Sequence, residues 1–392
     1  MYGITAGKYR SSVTHTTAHR ARVLGMMMTI TMLSACTFAP GQRMIQPPTL
    51  PVSNTDDGKA SGETVQIPIT DITIASVKRL RQTVTPSGAS GATALFGDPG
   101  PYRVGPGDVL QITVWDHPEL AAALGQQPNT PNRPADAASG FIVDHEGNLQ
   151  FPYIGTIHVA GDSAETVQRR VTADLSKVMV KPQVTVRVAS FRAAQIYIDG
   201  EVRTPGAQSI NDIPMTLTEA INRAGGYSPN ADQSHVTIVR DDKTYEINVA
   251  QMLKNGENPS RIVLKNGDLL RIEGREEYGV YVMGEVGKPA TVTPMKDGTL
   301  TLGEAISQAG SVNPATSDPK ELYVIRGEPN GQPQIYHLDA RSPVAMLLAN
   351  QFDLQPKDVV YVDASGLVRF SRVLDLLLPL VNAGVTGAVV AK

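Results

Sequence analysis

Cysteine is nearly missing from this chain: its 392 residues hold one, Cys36. That excludes an intrachain disulfide and any metal site built from clustered thiolates. A dominant charge sign is missing too, because 35 Lys and Arg stand against 38 Asp and Glu, for a formal charge of -3. There is no field of the kind that gathers nucleic acid, and nucleic acid is not expected as a partner. Aromatics are few, at 5%, whereas Gly (35) and Pro (28) are plentiful. The balance favours short strands between turns over long helical bundles, hence an α+β or mostly β chain. The early apolar run at residues 23–32 is too short for a permanent membrane helix, which takes about 20 residues.

Signatures of catalysis and ligand binding are missing as well. Asp116, His117 and Glu119, and the run Asp144-His145-Glu146, lack the spacing of a strong metal motif and fall where turns are expected. They read as polar turn contacts. Gly225 and Gly226 follow a helix instead of opening one, the wrong order for a phosphate cradle. No Ser-His-Asp or Cys-His arrangement is discernible. No catalytic residue, cofactor or metal is assigned, and the chain is expected not to be an enzyme.

What is present begins with a targeting segment. Lys8, Arg10, Arg20 and Arg22 precede the apolar run, and Leu33-Ser34-Ala35-Cys36 follows it. This is the charged region, apolar region and small-residue cleavage site of a secretory signal. Leu33-Ser34-Ala35-Cys36 resembles a bacterial lipobox, which implies a signal peptide at 1–35 and a mature chain beginning at a lipid-bearing, palmitate-carrying Cys36. By the same resemblance Thr37, where inner-membrane lipoproteins commonly carry Asp, favours the outer membrane.

Residues 36–100 are rich in Pro, Thr, Ser and Gly and read as an extended linker, with one strand near 64–74 where β-branched and polar residues alternate. That strand is expected to pair with a sheet edge of another domain or a neighbouring subunit. A compact α+β domain is expected at 101–192. It opens on the tight turn Gly105-Pro106-Gly107-Asp108, and holds a helix capped by Asp162 or Ser163 with apolar positions Val167, Val171, Leu175 and Val178.

An internal duplication follows. Tyr197-Ile198-Asp199-Gly200-Glu201-Val202 and Thr216-Leu217-Thr218-Glu219-Ala220-Ile221 are answered by Tyr281-Val282-Met283-Gly284-Glu285-Val286 and Thr301-Leu302-Gly303-Glu304-Ala305-Ile306. Each copy carries a Thr-x-x-Glu capping box, a short apolar helix and a terminal glycine, Gly225 or Gly310. Two tandem modules are expected, at 193–275 and 276–363. The tail, 364–392, reads as an amphipathic helix with a polar stripe of Arg369, Arg372, Asp375, Asn382 and Thr386 against Leu and Val. Its residues 367–392 at about 1.5 Å each exceed an apolar layer of about 30 Å.

The lipobox, Tyr102-Arg103-Val104-Gly105-Pro106-Gly107-Asp108-Val109, Val114-Trp115-Asp116-His117-Pro118-Glu119-Leu120, the two repeats and Leu376-Leu377-Leu378-Pro379 together resemble the Wza family of outer-membrane polysaccharide export proteins. The resemblance covers most of the mature chain. It implies a small export domain, two tandem β-grasp-like SLBB modules and a C-terminal amphipathic transmembrane helix. It further implies a periplasmic, octameric homo-oligomer whose terminal helices form a barrel through the outer membrane, with Asp375, Asn382 and Thr386 lining the pore. The implied cargo is capsular or exopolysaccharide, and the implied partner is an inner-membrane co-polymerase tyrosine kinase resembling Wzc. Two departures are visible: the tail lacks the tryptophans that end a Wza-like helix, Trp115 being the only one, and the loop at 121–140 lacks tyrosine. A periplasmic polysaccharide-binding or scaffold lipoprotein, and a polysaccharide-modifying enzyme, are the alternatives weighed.

Overall fold

The computed structural model describes residues 42–51, 64–83, 92–117, 119–120, 139–327, 333–372 and 375. They belong to two compact units: Val84–Tyr278 with Thr293–Thr299, and the remainder. The second unit starts with strands β1 (Thr49–Pro51) and β2 (Thr64–Gln66), an antiparallel pair, then β3 (Ile69–Asp71) and helix α1 (Ile74–Thr83). The alternation across 64–74 is therefore not one strand. Pro68, which has no N–H to give a ladder, separates β2 from β3, and a Thr73–Ser76 turn, with the Ser76 N–H donating to Thr73 Oγ1 at 3.2 Å, starts the helix at Ile74.

In the first unit, β4 (Val109–Val114) pairs antiparallel with β8 (Val184–Ser190) and with β5 (Phe141–Ile142), while β6 (Asn148–Phe151) and β7 (Gly155–His158) form a hairpin. Alternation in β4 buries Leu110, Ile112 and Val114 beneath α2 (Ala164–Leu175), whose Val167, Val171 and Leu175 are fully buried. Ser163 caps that helix by accepting from the Thr166 N–H. Val178 does not join the apolar stripe: the chain tightens past Ser176, the Met179 N–H bonds back to Leu175 O, and Met179 packs on the core while Val178 is left exposed.

Next come β9 (Gln195–Gly200), β10 (Gly206–Ser209), α3 (Leu217–Arg223), β11 (Ala231–Arg240), β12 (Lys243–Ile247), α4 (Val249–Lys254) and β13 (Leu269–Gly274). The sheet order is β10-β9-β13-β11-β12, with β9 and β13 parallel. The second unit repeats this plan with β14 (Val280–Gly284), β15 (Ala290–Val292), α5 (Leu302–Gln308), β16 (Ser317–Arg326), β17 (Gln334–Leu338), α6 (Ala345–Ala349) and β18 (Val359–Ala364), in the order β15-β14-β18-β16-β17-β3. The duplication read from the sequence is thus two sheets of one topology, the second extended by β3, which runs parallel to β17.

One position shows how closely the copies agree. Gly200 opposes Ile272 and Gly284 opposes Val362, at φ of 85° and 90°. A Cβ on either would lie 2.0 Å from the Ile272 or Val362 carbonyl oxygen, so only glycine admits the parallel partner this close. The copies differ on the face away from α3 and α5. The first carries Glu246, Thr237, Arg271 and Asp199 side by side across four strands, and the second carries His337, Tyr323, Tyr361 and Met283 in the same registers. Arg271 of the polar row is exposed, whereas Tyr323 and Tyr361 of the other are buried with Ile67 and Ile335, and Met44 packs against them.

Candidate functional site

Among the described residues no group of three or more His, Cys, Asp or Glu is placed to hold a metal ion. His117 Nδ1 contacts Glu119 at 2.8 Å, and the Asp144 carboxylate accepts from the Glu146 and Asn148 amides, so both acidic-histidine segments make contacts within turns. The fold does gather a Ser, a His and an Asp that the sequence did not reveal. Ser234 Oγ and Asp232 Oδ2 lie 2.9 and 3.1 Å from His235 Nδ1, at the irregularity in β11. Both neighbours address the same ring nitrogen, so the ring cannot take a proton from Ser at one nitrogen while Asp orients it through the other, as a nucleophilic triad requires. The ring instead stacks on Tyr278 at 3.8 Å. Burial alone would raise Asp232 and lower His235, but their mutual hydrogen bond and charge outweigh it: Asp232 is held below the usual carboxylate range and His235 above the usual imidazole one.

Gly105, Pro106, Gly107 and Asp108 form a turn that recurs twice more. Asp108, Asp268 and Asp358 are almost wholly buried. Each accepts at Oδ2 from the backbone N–H three residues earlier, Gly105 (2.9 Å), Lys265 (2.7 Å) or Gln355 (2.8 Å). The residue before each aspartate has positive φ: Gly107 at 91°, Gly267 at 86° and Lys357 at 68°. What satisfies the remaining lone pairs differs. Arg240 and Arg326 reach Asp268 and Asp358 through Nε and Nη2, with closest contacts of 2.6 and 2.7 Å. Asp108 takes the Tyr102 hydroxyl (2.7 Å) and the amides of Arg192 (2.8 Å) and Ala193 (2.9 Å). It therefore joins the entry to β4 to the chain leaving β8. Burial, with Asp108 beside it, pushes the Tyr102 phenol well above its ordinary range, so it stays a donor.

The remaining candidates lie at the two ends of the chain. Cys36, Asn382 and Thr386 fall outside the described residues; Asp375 is helical and exposed. No helix among the described residues is long and apolar enough to cross a membrane. The transmembrane helix expected at 364–392 is described only at its start, about two turns of helix over 366–372. There Arg369 and Arg372 do not continue an open polar stripe: Arg369 lies 3.6 Å from Asp363 and Arg372 2.5 Å from Glu285, both carboxylates being at least four-fifths buried. The N-terminal segment meets the same point. The Met44 N–H donates to Asp363 Oδ2 at 3.3 Å, and the Tyr361 hydroxyl donates to Gln42 O at 2.6 Å.

Comparison with known proteins bears on the whole chain. The model of the polysaccharide biosynthesis/export protein family matches residues 97–189, and that of the SLBB domain matches 194–272 and 279–362. The EPS I polysaccharide export outer membrane protein EpsA of Ralstonia solanacearum is 44% identical over 375 residues, covering 93% of this chain and 96% of the relative. The capsule polysaccharide export protein BexD of Haemophilus influenzae is 24% identical, covering 89% and 93%. The capsule polysaccharide export outer membrane protein CtrA of Neisseria meningitidis serogroup A is 23% identical, covering 71% and 76%.

Proposed function

This chain belongs to the polysaccharide export outer membrane protein family, whose members are export proteins and not enzymes, and from that premise we propose that it is a lipid-anchored conduit for capsular or exopolysaccharide. The reading has Cys36 acylated in the outer membrane and most of the chain in the periplasm, assembled as an octameric ring. Residues 101–192 form the export domain, with the Asp108 turn holding it shut, and residues 193–275 and 276–363 form the ring modules. Residues 364–392 form one helix of a membrane barrel, turning Asp375, Asn382 and Thr386 to the lumen and Leu and Val to lipid.

The observation that carries the reading is the end-to-end match to an exopolysaccharide export outer membrane protein. The pairing of Arg369 and Arg372 with the module body supports it further, because a charge centred in hydrocarbon costs roughly 2.5–3.5 kcal/mol on insertion scales, and these two arginines already have carboxylate partners outside it. A helix satisfies its own backbone in lipid, and a closed ring of helices turns polar stripes to water. Because the sequence shows no nucleotide-binding motif, energy is supplied by an inner-membrane co-polymerase kinase resembling Wzc. Crosslinks from residues 120–140 should capture that partner; capture only through the ring modules would contradict the polarity.

Single cysteines at Asp375, Asn382 and Leu377 test the barrel. In intact cells a small membrane-impermeant thiol reagent should label the first two and spare Leu377. Equal protection of all three, or unchanged export after truncation at Asp363, would refute it. Mass spectrometry of the mature N-terminus tests acylation of Cys36.

A further inference from the structure

The carboxylate of Asp363 stands where the two ends of the described chain meet. Asp363 is 3% exposed, and it follows the strand β18 residue Val362 that opposes Gly284. Its Oδ1 accepts from the Ala364 N–H at 2.7 Å and lies 3.3 Å from the Tyr361 hydroxyl. Its Oδ2 accepts from the Met44 N–H at one end of the chain and forms an ion pair at 3.6 Å with the Arg369 guanidinium at the other. A buried carboxylate needs its charge matched and its lone pairs filled. Among the described residues its cation comes from the C-terminal helix, and a donor comes from the N-terminal segment.

The contacts around it are arranged in two arms. On the N-terminal side, Gln42 accepts from Tyr361, Gln46 Nε2 donates to the Tyr323 hydroxyl at 2.9 Å, and Met44 packs on the Tyr323, Tyr361 and Ile335 cluster. On the C-terminal side, Arg372 reaches Glu285. The first module has Glu273 at the position of Asp363, with the Tyr278 hydroxyl donating to it, and its neighbouring row is polar. It therefore offers neither the apolar seat nor a carboxylate facing both chain ends.

We propose that Asp363 is a positioning residue that fastens the N-terminal segment and the start of the C-terminal helix to one point of the second module. The consequence for the membrane rests on the conduit reading above. Cys36 precedes Gln42 by six residues, and six residues of fully extended chain reach no further than about 22 Å. A lipid on Cys36 is thereby confined to the neighbourhood in which the helix departs, so anchor and helix are delivered to one membrane surface.

Pulsed electron paramagnetic resonance on the detergent-solubilised full chain tests this, with nitroxides on Arg43→Cys and Ser371→Cys in a Cys36→Ser background, so that the native thiol takes no label. In the native background a single narrow distance is expected. Asp363→Asn should abolish it. Arg369→Gln should abolish it while the circular dichroism of the folded chain is retained, and Arg369→Lys, which keeps the cation, should restore it. A broad distribution in the native background, or a narrow one that survives both Asp363→Asn and Arg369→Gln, would overturn the proposal. The distance depends on neither acylation nor export, so its failure is separate from failure of the conduit reading, which the Cys36 mass and the pore-labelling experiment decide.

Discussion

At Asp108, Asp268 and Asp358 the same turn is closed by different means, and the difference predicts how each tolerates substitution. Asp108 is held by four donors, three backbone amides and the half-buried Tyr102 phenol. Replacing it with Ala leaves those donors unpaired at about 1–3 kcal/mol for each one buried, so Asp108→Ala should lower stability in urea by at least about 3 kcal/mol. Lys357 occupies the left-handed position that Gly107 and Gly267 fill in the other two turns. Such a conformation costs a non-glycine residue roughly 1–2 kcal/mol, against about 0.4–1 kcal/mol of extra unfolded-chain entropy for glycine. Lys357→Gly should leave the urea midpoint unchanged or raise it. His235 gives a pH signature. Its folded pKa lies above the ordinary 6.5, so its contribution is fully present below pH 6.5 and is lost as pH rises through the folded value. Stability measured across that range should fall with rising pH, and His235→Gln should flatten the fall.

The two helices that open with Thr-x-x-Glu share a sequence pattern and differ in its execution. Thr301 and Glu304 complete the reciprocal box, the Thr301 N–H donating to Glu304 Oε2 at 2.8 Å. In α3 the Thr216 half forms, but Glu219 Oε1 is taken by Arg223 Nε at 2.7 Å, one helical turn on. Caps of this kind are worth about 0.5–2 kcal/mol; Thr301→Ala should sit toward the upper end and Thr216→Ala toward the lower, read from denaturation midpoints. Caps, turns and the duplication were legible in the sequence because each is encoded within a few residues. That the segment around 64–74 borders a sheet edge was legible too; which edge was not, since β3 and β17 pair across a separation of 266 residues, as the Asp71–His337 contact shows. A trace of it exists: Val359-Val360-Tyr361-Val362 is an unbroken apolar run, as expected of a strand buried on both faces, where Leu269-Leu270-Arg271-Ile272 is interrupted by a charge. Giving the second module the first module's residues, Tyr323→Thr with Tyr361→Arg, should release residues 42–46 and speed tryptic cleavage at Arg43. The Ser234–His235–Asp232 group was missed for a related reason: it is an irregularity in β11, not an alternation, that brings the three together.

Over the whole chain, one topology is used twice with different outer faces, one left polar and one covered by the chain's own beginning. Deleting residues 42–83 should therefore affect the two modules unequally. The first keeps its row of Glu246, Arg271 and Asp199, while the second is left with Tyr323, Tyr361 and the open edge of β17. Light scattering should show self-association of the deletion variant, and Tyr323→Thr with Tyr361→Arg in that background should reduce it. The edge strand also sets a clock. Synthesis proceeds from the N-terminus, so β3 emerges long before the β17 it will border, and pairings so distant in sequence are slow to close. For that interval the segment carrying β3 has no berth, and once β17 is made its flank stays open until the segment arrives. A single strand of three residues thus makes the finished second module the last part of the chain to become safe from other copies of itself.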